Sequence, residues 1–418
     1  MSKMYLEGFA SEKYGLLGEK LSHSFSPQIH RELSDYEYKL YEVRSEKLGS
    51  FMKDNDLKGF NVTIPYKEKV MEYLDDISER AREIGAVNTV VKRDDGTYFG
   101  DNTDYDGFLT MLSELSLDLK GKKTLVLGSG GASKTAVCVL SSLGAEVVVI
   151  SRKGDNNYDN IEMHKDASLI VNATPVGMYP KVEESPVDIS IFENLEGVCD
   201  LIYNPLKTEL VLSAEERGIK SLNGLSMLVS QAKRAAEIFT DESICDSVID
   251  SIREKITKQT QNVVLIGMPG CGKSTVGKIL AEKLERQFED TDRNITELSG
   301  RTPSEIIRSE GEKVFREIES VEIMRLSKES GLVIATGGGV VTVEGNRRYL
   351  CQNSLCVFIN KDISTLATED RPLSKNLHEL YRERLPLYKS FADAEVDGNA
   401  DAEIVVERIL EVIREENI

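Results

Sequence analysis

Residues 123–152 read KTLVLGSGGASKTAVCVLSSLGAEVVVISR. A short apolar run, Leu125–Leu127, enters a turn with glycines at 128, 130 and 131. The stretch from about Ala132 to Leu143 then carries apolar residues at helical spacing, and Glu146–Ile150 is a second β-branched run. Strand, glycine turn, helix and strand in this order make a right-handed parallel βαβ unit. Its glycine amides and helix N-terminus are suited to a pyrophosphate, with Gly128, Gly130, Gly131 and Ala132 as the contacts. An NAD site would place Asp or Glu after the second strand, for the ribose 2′-hydroxyl. Here stand Ser151, Arg152 and Lys153, which suit a 2′-phosphate, so the expected cofactor is NADP(H). The plainer alternative is a helix-capping glycine turn beside a surface Arg-Lys pair.

A second glycine turn, GMPGCGKST at 267–275, fits G-x-x-x-x-G-K-[ST] between a predicted strand at 262–267 and a predicted helix at 274–287. Gly270, Gly272 and Thr275 shape a cradle of inward N–H groups, Lys273 neutralises terminal phosphate oxygens, and the Ser274 hydroxyl can ligate Mg²⁺. ATP with Mg²⁺ is the expected ligand. Between the two turns an amphipathic helix pattern runs to about Thr257 and yields to the polar KQTQ, which places a linker at 256–261. Residues 1–103 form an α/β lobe with YKLYEV and GFNVTIP as strands, completed by the helical pattern at about 225–255; DYDGFLTMLSELS bridges into a Rossmann lobe spanning 104–224. Residues 262–418 form a P-loop domain with a parallel sheet flanked by helices. The fold class is therefore α/β throughout.

At 418 residues the chain exceeds what one core sustains, which agrees with this division. A net charge of −19 argues against nucleic acid and anionic membranes as partners, and any bound phosphate or carboxylate must be held by local basic groups and amides. No run is long and apolar enough to span a membrane and the N-terminus lacks a signal-peptide core, so the expected location is cytoplasmic. The six cysteines lack metal-ligand spacing, and the four histidines form no HxxxH pattern, so no transition-metal site is expected. The sequence carries no mark of an oligomeric state.

Other polar residues are ordinary singly and suggestive in order. SHSFSP offers Ser24 and Ser26, two hydroxyls able to reach one carboxylate; NVTIPYKE offers Asn61, Thr63 and Lys67; AVNT offers Asn88; GDNTD offers Asp104. Each alone reads as a cap, turn or strand-edge residue. Together with NATPVGM at 172–178 and GLSMLVSQA at 224–232, they make residues from 1 to about 250 resemble shikimate dehydrogenase. The resemblance implies that Ser24, Ser26, Asn61, Thr63, Asn88, Tyr203 and Gln231 surround 3-dehydroshikimate or shikimate, and that Lys67 and Asp104 serve the reacting oxygen. Ala173, Thr174, Gly224 and Met227 would border the cofactor.

After the second turn, FEDTDRNI presents Asp290 and Asp292, GEKVFREIE Arg316, ATGGGVV the glycines 337–339, and RLPLY Arg384. In this order they make nearly all of 262–418 resemble shikimate kinase. The resemblance implies that Asp290 helps hold Mg²⁺, Asp292 meets the shikimate hydroxyls, and Arg316 and Arg384 clamp the carboxylate. It also implies that Gly337, Gly338 and Gly339 admit the ring, and that Arg371 stabilises the transferred phosphoryl group. The segment Arg371–Arg384 is shorter than the family's usual lid, and STLATED lacks an arginine to pack on adenine. The expected activity is a bifunctional enzyme performing two successive steps of aromatic amino-acid biosynthesis. The alternative is a quinate/shikimate dehydrogenase joined to a nucleotide-binding regulatory module of weak turnover.

Overall fold

The computed structural model describes residues 12–21, 24–366 and 377–415. Among them lie three sheets, each with its own core. The first is mixed: β1 (Lys13–Gly18), β2 (Glu37–Glu42), β3 (Gly59–Val62), β4 (Asp76–Ile77), β5 (Thr89–Lys92) and β6 (Tyr98–Asp101), in the order β2-β1-β3-β5-β6-β4. β1 runs parallel to β2 and β3, whereas β5 is antiparallel to both β3 and β6. The second sheet is parallel, β7 (Lys123–Leu127), β8 (Glu146–Ile150), β9 (Leu169–Asn172), β10 (Gly197–Asp200) and β11 (Lys220–Leu222), in the order β11-β10-β9-β7-β8. The reversal of strand order beside β7 is where ligands bind in open parallel sheets, and the first glycine turn leaves β7 there.

The third sheet is also parallel: β12 (Asn262–Ile266), β13 (Phe288–Asp290), β14 (Val333–Ala335), β15 (Ser354–Asn360) and β16 (Ala394–Asp397), ordered β13-β14-β12-β15-β16. β12 and β14 are buried along their whole length, as central strands covered on both faces must be. The helix after β12 runs Lys273–Leu284 and that after β7 runs Gly131–Ser142, so both glycine turns open helices as expected.

Two compact units result: Met1–Pro175 with Pro186–Leu201 and Ala214–Arg253, and Glu254–Ile418 with Val176–Ser185 and Ile202–Ser213. Two loops that the sequence assigns to the Rossmann lobe thus fold with the second unit. In that unit Gln352 Nε2 donates to Val182 O (2.8 Å) and Lys207 N donates to Gln352 O (2.9 Å). The expected linker at 256–261 is different as well, because helix Ser247–Thr260 runs through nearly all of it. No Gly or Pro interrupts this stretch, and Ile249, Ile252 and Ile256 are buried at helical spacing. KQTQ is polar, but its residues do not stop a helix.

Candidate active sites

In the first unit, Asp104 opens helix Asp104–Leu115, where a negative charge suits the helix dipole. Asn88 fixes the entry to that helix, its Oδ1 accepting from Thr103 N at 2.7 Å. Lys67 follows β3 and reaches across, so that Nζ lies 2.6 Å from Asp104 Oδ2, with side chains 20% and 9% exposed. So shielded, this ion pair needs close geometry to offset the loss of hydration. Ser24 Oγ donates to Ser26 Oγ at 3.1 Å, which puts the expected pair of hydroxyls side by side. Asn88 Nδ2 donates to Gln231 Oε1 at 3.4 Å, joining two further expected contacts. Thr63 N donates to Leu17 O (2.9 Å), which holds the start of the NVTIPYK loop against β1.

The sequence places Asn61 among the substrate contacts, but the structure commits its amide to the scaffold. Its Nδ2 donates to Asn88 O (3.3 Å) and Thr89 Oγ1 (3.0 Å), and its Oδ1 accepts from Tyr38 Oη (2.7 Å). Asn61 therefore holds Asn88 rather than offering a donor of its own. Tyr203 lies in the segment Ile202–Ser213, which folds with the second unit.

The first glycine turn lies against Lys67. A Cβ on Gly131 would stand 3.8 Å from Lys67 Cδ, and Lys134 on the same helix pairs with Glu68 at 2.6 Å. Gly128 has φ +111°, and Ser133 Oγ donates back to Gly128 O at 2.7 Å, closing the turn. Gly130 caps the helix without a side-chain bond, Gly131 and Ala132 supply its first turn, and nothing stands within 4 Å of a Cβ placed on Gly130. Ser151 turns the chain after β8 and leaves Arg152 and Lys153 exposed. On the neighbouring strand end, Ala173 N donates to Leu127 O (2.9 Å), and Thr174 N donates to Asn172 Oδ1 (3.0 Å). Gly224 caps helix Leu225–Thr240, which carries buried Met227 and the Gln231 amide. Open amides at a helix N-terminus fit a dinucleotide pyrophosphate, and two exposed cations after the next strand fit a 2′-phosphate.

In the second unit, Lys273 folds over its own loop, donating to Gly267 O (2.8 Å) and Met268 O (3.0 Å). Gly270 and Gly272 have φ of +84° and +101°, and Ser274 and Thr275 follow in the first helical turn. Ser274 Oγ donates to Asp290 Oδ2 at 2.6 Å, while Asp290 Oδ1 caps the next helix through Asp292 N and Arg293 N. A hydroxyl beside a carboxylate at the loop is an oxygen set suited to Mg²⁺.

The ATGGGVV glycines gather the remaining expected residues. A Cβ on Gly339 would overlap Arg316 Nη2, one on Gly337 would fall 2.9 Å from Asp292 Oδ1, and one on Gly338 would strike Pro269 of the P-loop. Arg384 Nη1 donates to Gly338 O at 2.9 Å. The loop thus needs glycine because side chains from several elements converge on it. Gly337 departs from expectation in that its N–H already donates to Thr291 Oγ1 (3.0 Å). Arg371 lies outside the described residues.

Two residues of this site go unread in the sequence. Glu319 is fully buried and accepts from Arg316 Nη1 at 2.7 Å; its other carboxylate oxygen faces Gly337. Burial raises its pKa, with Arg316 offsetting part of the effect, and Glu319 and Glu312 in turn hold Arg316 above its ordinary value despite burial. Tyr388 stacks on Phe358 and donates to Gly338 O. Glu319 sits one helical turn after Arg316 in FREIE, a spacing that could have pointed to it.

Two family models match the chain: the shikimate dehydrogenase substrate binding domain over residues 16–90, and shikimate kinase over residues 269–414. The chain is 42% identical over 251 residues to a shikimate dehydrogenase (NADP(+)) of Clostridium beijerinckii, a match covering 55% of this chain and 92% of the relative. A second, from Caldanaerobacter subterraneus, is 39% identical, with coverage of 57% and 96%. Among solved structures, a chorismate mutase/shikimate 5-dehydrogenase fusion protein of Clostridium acetobutylicum is 41% identical, with TM-score 0.56 and coverage of 59% and 97%. The Thermus thermophilus shikimate 5-dehydrogenase, solved with NADP(H) and shikimate, is 32% identical, with TM-score 0.54 and coverage of 58% and 99%. No helix among the described residues is long and apolar enough to cross a membrane. The chain belongs to the shikimate dehydrogenase family, and carries behind that enzyme a shikimate kinase domain.

Proposed function

We propose that this bifunctional enzyme of the shikimate pathway reduces 3-dehydroshikimate to shikimate with NADPH, then phosphorylates the 3-hydroxyl of shikimate with ATP and Mg²⁺. The observation that carries the first half is the Lys67–Asp104 pair beside the first glycine turn. NADPH supplies the hydride. As charge develops on the ring oxygen, the Lys67 ammonium stabilises it or donates a proton, and Asp104 orients that ammonium. Ser24 and Ser26 receive the carboxylate, Asn88, Gln231 and Thr63 receive the ring hydroxyls, and Asn61 acts behind Asn88. Arg152 and Lys153 select the 2′-phosphate.

In the second half, Lys273, Ser274 and Asp290 are assigned to the nucleotide and its metal, which supplies charge neutralisation between the phosphates. Asp292 orients the acceptor hydroxyl, while Arg316 and Arg384 hold the carboxylate. Phosphoryl transfer needs chiefly such positioning and charge stabilisation. A coupled assay with 3-dehydroshikimate, NADPH and Mg-ATP tests the reading: Lys67→Ala should stop only the reduction, and Lys273→Ala only ADP release from supplied shikimate. Loss of both activities in either variant would count against two separate centres.

A further inference from the structure

Asp104 is braced by a residue that never touches it. Arg80 stands on helix Glu79–Ile84. Its Nε donates to Asp101 Oδ1 (2.7 Å) and its Nη2 to Asp101 Oδ2 (2.5 Å), a two-pronged fork on the last residue of β6. Its third nitrogen, Nη1, pairs with Asp106 Oδ2 at 2.7 Å, in the first turn of the helix that Asp104 opens. One guanidinium therefore ties down the chain on both sides of Asp104. Between its two anchors, Asn102 and Thr103 are fully buried, with Asn102 Nδ2 donating to Ala86 O (2.8 Å) and Thr103 N to Asn88 Oδ1 (2.7 Å). Asp101 Oδ1 also accepts from Ser78 Oγ (2.6 Å) and Asn102 N (2.8 Å), so the anchor itself is held from several directions.

The charges sort in the same way. Asp101 and Asp106 share Arg80, which leaves Lys67 matched to Asp104. A planar fork whose third nitrogen reaches a second carboxylate is what this bridge requires, and lysine, a point charge on a flexible stem, cannot reproduce it.

We infer that Arg80 is a positioning residue for the reduction, acting through Asp104 to hold the Lys67–Asp104 pair in register. This rests on reading that pair as the reacting couple. The alternative is a fork that merely stabilises the lobe. A double-mutant cycle in the full-length protein separates the two, using Arg80→Gln, Arg80→Lys, Asp104→Asn and Arg80→Gln/Asp104→Asn. Arg80→Gln should lower kcat for reduction about tenfold or more, with KM for 3-dehydroshikimate within about threefold and Arg80→Lys falling between it and the wild type. ADP release from supplied shikimate should be unchanged, which reports an intact second unit, while the retained KM for 3-dehydroshikimate reports an intact first one. In the Asp104→Asn background the same Arg80 change should cost less than about twofold. Arg80→Gln within about twofold of wild type, or an equal loss in both backgrounds, would overturn the inference. Should Arg80→Gln fail to fold, Arg80→Lys carries the same cycle, with a kcat loss of more than about twofold in the wild-type background and less than about twofold beside Asp104→Asn expected, and any other outcome overturning the inference. A wild type unable to turn over 3-dehydroshikimate would instead overturn the reduction itself, a separate result.

Discussion

Lys67 Nζ meets Asp104 Oδ2 at 2.6 Å although 37 positions separate them in the chain. The contact joins the loop after β3 to the first turn of a helix, and it lies beside the turn that leaves β7. Replacing Asp104 by Asn keeps the shape and removes the charge that orients the ammonium. Reduction of 3-dehydroshikimate should fall by about 10²–10⁴-fold in kcat, while ADP release from supplied shikimate stays at the wild-type rate. Initial rates of NADPH oxidation and of ADP formation on one protein sample check both halves of this expectation.

Arg152 and Lys153 follow β8 with their side chains exposed, and no acidic residue takes the place where NAD enzymes hold the ribose hydroxyls. The Arg152→Ala/Lys153→Ala variant should raise KM for NADPH by roughly 10–100-fold, the loss of one or two charge-assisted bonds. The NADH rate should change little. Equal losses with both cofactors would show that these cations do not read the 2′-phosphate.

Gly339 leaves no room for a methyl group, since its Cβ would overlap the Arg316 guanidinium. Gly339→Ala must displace that arginine, and with it one half of the proposed carboxylate clamp. KM for shikimate in the kinase assay should rise about tenfold or more, with the reduction untouched. Substrate titrations at saturating Mg-ATP read this directly, and an unaltered KM would place the carboxylate elsewhere.

His30 is buried with its ring stacked on Tyr38 and its Nδ1 2.6 Å from Tyr36 Oη; burial lowers its pKa to about 3. An imidazole that ionises near 6.5 when unfolded and near 3 when folded binds its proton more readily in the unfolded chain. Its contribution to stability is therefore complete above pH 6.5 and declines as pH falls toward 3, by up to about 1.4 kcal/mol per pH unit. Urea unfolding of the first unit between pH 6.5 and 4 should show a flatter pH dependence for His30→Gln than for the wild type. Identical slopes would mean that this ring takes up no proton on unfolding.

The two glycine turns, the parallel units they open, and most of the polar constellation could be read directly, because phosphate and carboxylate chemistry demands particular residue types at close spacing. The structure brings Lys67 to Asp104, Ser274 to Asp290, and Arg316 and Arg384 to the glycine loop. What escaped reading depends on packing at long range. Arg80 looks like any helix-surface arginine until β6 brings Asp101 beneath it, and Glu319 looks like a solvated charge until the glycine loop covers it. Asn61 shows the converse: a polar residue in a functional motif whose donors serve the framework. The junction at 256–261 misled because polarity marks loops only where something also halts the helix.

Gly107 on the Asp104 helix lets the backbone of helix Leu225–Thr240 pass so near that a Cβ there would stand 2.6 Å from Met227 O and 3.0 Å from Gln231 Cβ. The spacing between Asp104 and the Gln231 amide is thereby set by two rods in direct contact, and surface loops have no say in it. Lengthening a peripheral turn of this lobe should leave the catalytic geometry alone, whereas a single methyl group at position 107 would wedge the rods apart and spoil it from behind.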